Sequence, residues 1–137
     1  MGSGMIRWVR RFPLTLFCTL LIWVLCLMSP PKTGWEEIKD SDKIAHIVMY
    51  LGTMIVFWWE YWRKPLPRFS RLQTILFTLC APIAMSGLIE LIQEYCTFGR
   101  RSGDIHDFMA NSVGVILAFV IGRYIPDFVN VSPKIRR

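Results

Sequence analysis

The stretch IELIQEYCTFGRRSGDIHDFMANSVG, from Ile89 to Gly114, decides the fold because it separates two strongly apolar runs. It contains a dense set of ionisable and amide side chains: Glu90, Gln93, Glu94, Arg100, Arg101, Asp104, His106, Asp107 and Asn111. Such groups are costly inside a lipid bilayer and are rarely left facing lipid. The pattern therefore indicates a polar connection between two membrane helices, with polar residues gathered where one helix ends and the next begins.

The composition excludes an ordinary soluble domain. Of the 137 residues, 53% are hydrophobic, which is more apolar surface than a soluble domain of this length can cover. Met1-Gly2-Ser3-Gly4 is interpreted as an added leader, and residues 5–137 as one domain. The four cysteines show no CxxC and no Cys/His metal spacing, so a disulfide framework is not expected.

Four apolar runs predict membrane-spanning helices near residues 12–28, 44–62, 72–92 and 108–125. Each run has about 17–21 residues, enough to cross a hydrocarbon layer of ~30 Å at 1.5 Å per residue. Arginine and proline clusters separate the runs. The sequence therefore predicts an all-α, polytopic membrane protein whose four transmembrane helices pack as a bundle.

Charge asymmetry predicts the orientation of this bundle. Most of the 16 basic residues lie at the N-terminus, after the second run and at the C-terminus, whereas most acidic residues lie on the other side. The positive-inside rule then places both termini in the cytoplasm. Glu60 lies among the basic residues of the predicted cytoplasmic side, where it either pairs with Arg63 or Lys64 or acts independently. The basic surface is expected to meet membrane lipids, and no nucleic-acid module is present.

Polar residues recur at helical spacing on three of the four predicted helices. They are Asp42, His46 and Tyr50 on the second, Glu90 and Gln93 on the third, and Asp104, Asp107 and Asn111 on the fourth. Residues three or four apart share one face of a helix, and all three sets lie at the same depth. We therefore expect them to converge on a pocket that opens to the outside.

Close helix packing is expected beside this pocket. Small residues recur every four positions on the fourth helix, at Ala110, Gly114, Ala118 and Gly122. Such a stripe lets another helix approach closely, either within the chain or in a homodimer. Pro82 removes one helical hydrogen bond and predicts a bend in the third helix.

Three ordered motifs, DKIAHIVMYLG, ELIQEY and GRRSGDIHDFMANSVG, resemble the VanZ-like family of small bacterial membrane proteins. The resemblance implies a multi-pass protein of the bacterial cytoplasmic membrane with its motif loops outside. It also implies a link to the glycopeptide teicoplanin, because the founding member is associated with resistance to it. The family positions it assigns here are Asp42, Lys43, His46, Tyr50, Glu90, Gln93, Arg100, Asp104, Asp107, Asn111 and Gly114.

The first functional hypothesis is enzyme-like, with the pocket processing the head group of an envelope lipid or glycolipid. His46 with Glu90 or Asp107 would be the acid–base pair. The residues expected to bind the substrate are Lys43, Gln93, Arg100, Arg101, Asn111 and Tyr50. A divalent metal held by His46, Glu90, Asp104 and Asp107 is a variant of this hypothesis. Structural roles are expected for Asp42, Gly114, Ala118 and Gly122.

In two other hypotheses the same residues catalyse no reaction. In one, the pocket binds or transports a lipid or a glycopeptide antibiotic. In the other, the cluster is only the polar core of the bundle. Asp104 has an alternative role as a helix N-cap, and Asn111 as an interhelical hydrogen-bonding group. His106 is expected to be exposed. Arg100 and Arg101 have the alternative role of solvated charges in a loop.

Overall fold

The computed structural model of the chain describes residues 2–28, 40–64, 68–99 and 102–125. Within these ranges every regular element is helical: α1 (Gly2–Arg11), α2 (Pro13–Leu27), α3 (Ser41–Arg63), α4 (Arg71–Ile75), α5 (Ala81–Cys96) and α6 (Ile105–Tyr124). A π-helical turn, Leu76–Cys80, joins α4 to α5. The predicted all-α fold is therefore confirmed.

Three continuous helices are long and apolar enough to cross a membrane: Ser41–Arg63, Arg71–Cys96 and Ile105–Tyr124. The first predicted span corresponds to α2, which is apolar but has 15 residues. At 1.5 Å per residue α2 covers roughly 22 Å of a hydrocarbon layer of about 30 Å. The chain is thus an all-α membrane bundle of three long helices and one shorter helix.

We call the end of the bundle where α3 ends and α4 begins the inner end, and the opposite end the outer end. At the inner end the helix is interrupted between α1 and α2. Pro13 has no N–H and begins α2. The sequence had placed the start of the first span at residue 12 and had not predicted a separate helix before it. This α1 begins at Gly2, within the predicted leader.

Glu60, near the end of α3, fixes the start of α2. Its Oε1 accepts a hydrogen bond from the backbone N–H of Leu14 at 3.1 Å, and its Oε2 accepts from the backbone N–H of Thr15 at 3.0 Å. The Thr15 hydroxyl donates to the same Oε2 at 2.7 Å. The expected pairing with Arg63 or Lys64 is wrong. Arg63 lies over an indole ring, and Lys64 donates to backbone carbonyls of α1.

The small-residue stripe of α6 packs against α3 within the chain. All four of its members are buried: Ala110, Gly114, Ala118 and Gly122. A Cβ added at Gly114 would lie 2.6 Å from the backbone oxygen of Ile47, and one added at Gly122 would lie 2.1 Å from a ring carbon of Trp58. The stripe therefore serves helix packing inside this chain, as its spacing predicted.

The π-helical turn occupies the place where Pro82 predicted a bend. The N–H of Ala81 donates to the carbonyl of Leu76, five residues back. Pro82 follows this turn inside the continuous helix Arg71–Cys96, so its missing N–H interrupts the intrahelical hydrogen bonds there.

Candidate functional site

The centre of the candidate site is a hydrogen-bonded set of side chains from three helices at the outer end. The Nδ1 of His46, on α3, lies 2.9 Å from the Oδ1 of Asn111, on α6. The Nδ2 of Asn111 donates to the Oγ of Ser86, on α5, at 2.8 Å. The Nε2 of His46 lies 3.5 Å from the Oδ2 of Asp107. Of the predicted residues, His46, Asp107 and Asn111 come together, whereas the third helix contributes Ser86 in place of the expected Glu90 or Gln93.

This geometry assigns different roles to the two ring nitrogens of His46. With the Asn111 amide oriented as it is, Nδ2 donates to Ser86 and Oδ1 is the acceptor for a proton on Nδ1. The Nε2 then faces the carboxylate of Asp107.

Glu90, on α5, places a second carboxylate beside this pair, and only 8% of the residue is exposed. Its Oε2 accepts a hydrogen bond from the backbone N–H of Asp104 at 3.0 Å. Its Oε1 is buried and has no hydrogen-bond partner among the residues that the structure describes. A buried polar atom without a partner is unusual in a folded protein and marks the carboxylate as a candidate for a ligand contact.

The loop before α6 lies directly on α5. A Cβ added at Gly103 would lie 2.5 Å from the backbone oxygen of Glu90, so only glycine fits this crossing without movement. The backbone N–H of Gly103 donates to the carboxylate of Glu94 at 2.9 Å. Two glutamates, one turn apart on α5, thus hold the loop that begins α6.

Asp104 caps α6, as its alternative role predicted. Its carboxylate accepts from the backbone N–H of His106 at 2.8 Å and lies 3.0 Å from the Nδ1 of that residue. These contacts lower the pKa of Asp104, the backbone N–H of His106 contributing most. The side chain of His106 is 66% exposed, which confirms its expected exposure.

The metal variant finds no support in this geometry. In the described parts of the chain, no three His, Cys, Asp or Glu side chains form a group that could hold a metal ion. Asp104 faces His106, and one oxygen of Glu90 already accepts a backbone hydrogen bond. The four proposed ligands are therefore divided between two clusters. His46 and Asp107 form one, and Glu90 and Asp104 form the other.

Several predicted binding residues lie outside the centre. Gln93 donates to the backbone carbonyl of Cys26 at 2.6 Å and so holds the end of α2. Tyr50 is buried one turn below His46. The Nζ of Lys43 pairs with Asp40 at 2.8 Å. Asp42 is exposed in the first turn of α3. Arg100 and Arg101 lie outside the described residues.

A groove beside Glu90 opens along the outside of α5 and α6. It has a volume of about 590 Å³ and is lined by Glu90, Glu94, Asp104, Leu88, Leu91 and Phe108, among others. The three carboxylates lie in the part of the groove nearest the outer end, and the lining is otherwise mostly apolar and extends deeper to Ala84 and Phe108. This arrangement suits a molecule with a polar head and an apolar chain.

Ser86 is the member of the centre that sequence reasoning did not identify. It is fully buried, and its Oγ accepts a hydrogen bond from the Nδ2 of Asn111. The available signal was its position four residues before Glu90 and seven before Gln93, which places all three on one face of α5. Serine is common in membrane helices for packing alone, so the spacing did not distinguish this role.

The fold and the site define a small helical membrane protein with a polar centre at one end of the bundle. The family model of VanZ/LLP1 matches residues 15–126, which include α3, α5, α6 and the whole of the described centre. The chain therefore belongs to the VanZ/LLP1 family, and the resemblance seen in its motifs is confirmed. No curated protein and no solved structure matches the chain.

Proposed function

We propose that the polar centre binds the head group of an envelope lipid or glycolipid on the outer side of the bacterial cytoplasmic membrane. We further propose that His46 and Asp107 act there as an acid–base pair. The observation that carries this proposal is the imidazole of His46, which is held at Nδ1 by Asn111 and faces Asp107 with Nε2. An oriented histidine with a carboxylate at its second nitrogen is a common acid–base arrangement.

The chemistry follows from that arrangement. Acting as a base, Nε2 takes a proton from a hydroxyl group or a water molecule at the site, and the new imidazolium is stabilised by the Asp107 carboxylate. Acting as an acid, the same nitrogen returns the proton to the leaving group. Asn111 keeps the ring in one orientation through both steps, because its Oδ1 accepts a hydrogen bond from Nδ1–H throughout.

The groove beside Glu90 supports an amphiphilic ligand. The buried, unpartnered Oε1 of Glu90 is the proposed acceptor for a hydroxyl or ammonium group, and the apolar lining is proposed to hold part of a hydrocarbon chain. Arg100 and Arg101 are proposed to hold an anionic part of the head group, because arginine presents a planar set of donors to phosphate or carboxylate. We also propose a link to teicoplanin resistance, which the resemblance to the VanZ-like family suggests.

Paired variants test the acid–base proposal. We expect His46→Ala and Asp107→Asn each to abolish a change in envelope-lipid profile or teicoplanin susceptibility that the wild-type chain causes in a host. His106→Ala is the matched control, because it removes an exposed histidine a short distance away. Full activity in both site variants, with folding verified in detergent, would refute the acid–base role.

A binding experiment tests recognition separately from chemistry. Lipid extracts and teicoplanin are titrated against the purified protein, and thermal unfolding is followed. A ligand that binds only the native state raises the unfolding temperature, and the increase grows with the logarithm of ligand concentration above the dissociation constant. We expect stabilisation in the wild-type protein and in His106→Ala, and its loss in Glu90→Gln. Unchanged unfolding temperatures with every ligand would count against binding at this site.

A purely structural role is the second candidate, and burial favours it. His46 is 6% exposed, Asn111 is 1% exposed and Gln93 is 2% exposed, and each is hydrogen-bonded within the chain. Interhelical hydrogen bonds of this kind stabilise membrane bundles modestly. This role predicts that Asn111→Ala, His46→Ala and Glu90→Gln reduce activity only as far as they reduce stability.

A further inference from the structure

The inner end of the bundle contains a second cavity, remote from the polar centre, whose charge is opposite to that of the outer groove. It has a volume of about 780 Å³ and lies between the end of α3, the start of α4 and the end of α6. Three arginines line it: Arg68, Arg71 and Arg123. The other lining residues in the described chain are apolar, aromatic or uncharged polar residues, so the wall carries net positive charge.

The three arginines are held differently. Arg68 donates to the backbone carbonyl of Tyr61 at 3.0 Å, and its guanidinium lies 4.6 Å from the ring centre of Trp62. Arg71 and Arg123 are exposed. In the ranges that the structure covers, no ion pair joins any of the three to a carboxylate. Glu60, the buried carboxylate of this end, is occupied by the start of α2.

The floor of the cavity is aromatic and contains an unsatisfied donor. Trp58 lines the cavity, is 1% exposed, and its Nε1 has no hydrogen-bond partner in the described part of the protein. Phe119 and Tyr124 complete an apolar wall that continues along α6. A cationic rim above an apolar wall matches a phospholipid, whose phosphate lies at the interface and whose chains extend into the bilayer.

We propose that this cavity is a binding site for an anionic phospholipid of the inner leaflet, with its phosphate between Arg71 and Arg123. The positive-inside rule assigns this end to the cytoplasm, where anionic lipids attract basic side chains. Arg68 is fixed by Tyr61 and Trp62 and supplies charge to the rim. The site is independent of the outer centre and requires no chemistry there.

The test measures which lipid the purified protein retains. The protein is equilibrated in micelles with equal amounts of phosphatidylglycerol and phosphatidylcholine, repurified, and its bound lipid is quantified by mass spectrometry. We expect the wild-type protein to retain phosphatidylglycerol preferentially. In Arg71→Gln/Arg123→Gln the preference falls by about fivefold for each arginine removed, since each contributes one favourable charge near the membrane surface.

A matched control removes the same charge elsewhere at the inner end. Arg10→Gln/Arg63→Gln changes two exposed arginines that do not line the cavity, and we expect it to keep the preference. Thermal unfolding of each variant verifies its fold. Equal losses in both double variants, or no preference in the wild-type protein, would overturn the proposal. Displacement of the lipid by millimolar inorganic phosphate would overturn the lipid as ligand and favour a soluble anion.

Discussion

Two buried glutamates at opposite ends of the bundle have different surroundings. Glu60 is 3% exposed at the inner end, and both of its oxygens accept hydrogen bonds from the start of α2. Glu90 is 8% exposed at the outer end, where one oxygen accepts from the backbone of Asp104 and the other has no partner among the described residues. The two carboxylates are similarly buried, but only that of Glu60 has hydrogen-bond partners for both oxygens among the described residues.

The difference distinguishes a structural carboxylate from a candidate functional one. A helix N-terminus offers several free N–H groups and a positive dipole, which together stabilise a carboxylate at low cost. Glu60 uses these groups fully and needs no ligand. Glu90 uses one donor and keeps an acceptor open beside His46 and Asp107. Substitutions of the two glutamates, and of residues near them at each end of the bundle, test this contrast.

The largest expected effect is that of Glu60→Ala. The change leaves the backbone N–H groups of Leu14 and Thr15 and the Thr15 hydroxyl without their acceptor. We expect a loss of about 2–3 kcal/mol in the free energy of unfolding, measured by denaturation in detergent. Glu94→Ala, which removes an exposed carboxylate with one exposed hydrogen bond from Gly103, is the comparison and should cost less. Similar losses in both variants would contradict the structural role of Glu60.

Gly122→Ala tests the close packing of the inner end. The added methyl group would lie 2.1 Å from a ring carbon of Trp58, and Trp58 is buried, so the ring or α6 must move. We expect a destabilisation of about 1–3 kcal/mol. Gly52→Ala is the matched control, because nothing lies within 4 Å of a Cβ at that helical position. It should be neutral or slightly stabilising, since alanine favours helix.

Asp104→Ala has a smaller effect, and its pH dependence identifies the cause. The pKa of Asp104 is lowered from its ordinary value of 3.8, mainly by the backbone N–H of His106. A carboxylate with a lowered folded pKa stabilises the protein above its unfolded pKa, and that contribution is lost as pH falls through the folded pKa. We expect a cost of about 1 kcal/mol at neutral pH that disappears in strong acid.

Asp104→Asn is the control for this cap, because asparagine caps helices about as well as aspartate but does not titrate. Its stability should match the wild-type value near neutral pH and exceed it below the pKa of the wild-type carboxylate. The stability of each variant is measured relative to the wild type across pH by thermal unfolding. A difference between Asp104→Ala and the wild type that persists unchanged into strong acid would exclude the charged cap.

The convergence at the outer end was predictable from local spacing. His46, Asp107 and Asn111 lie on helices whose apolar runs fix their depth, and membrane helices turn polar groups away from lipid. The close packing of α6 was likewise predictable, because glycine and alanine at every fourth position indicate a close helix contact. These inferences succeed because lipid makes the period and depth of polar residues informative.

The contacts that separate Glu60 from Glu90 were not predictable in the same way. The donors to Glu60 lie 45 and 46 residues away along the chain, at a break before Pro13 that the hydropathy pattern does not show. Ser86 becomes a partner of Asn111 only when α5 and α6 are placed together. Such contacts depend on relative helix rotation, and the sequence of one chain does not encode that rotation in any local spacing.

The smallest expected change in stability is that of Glu90→Gln, and it is most informative when compared with Glu60→Gln. Glu60→Gln replaces an accepting oxygen with an NH₂ group that faces N–H donors, so we expect a loss of about 1–2 kcal/mol. Glu90→Gln retains one oxygen for the N–H of Asp104 and changes an atom that has no partner in the described chain. Its free energy of unfolding, measured in the same detergent, should stay within about 0.5 kcal/mol of the wild type, while ligand-dependent stabilisation is lost. If Glu90→Gln instead destabilises the protein as much as Glu60→Gln does, its second oxygen is already satisfied. Glu90 would then be a structural carboxylate of the same kind as Glu60, and the outer centre would lose the acceptor that its proposed ligand requires.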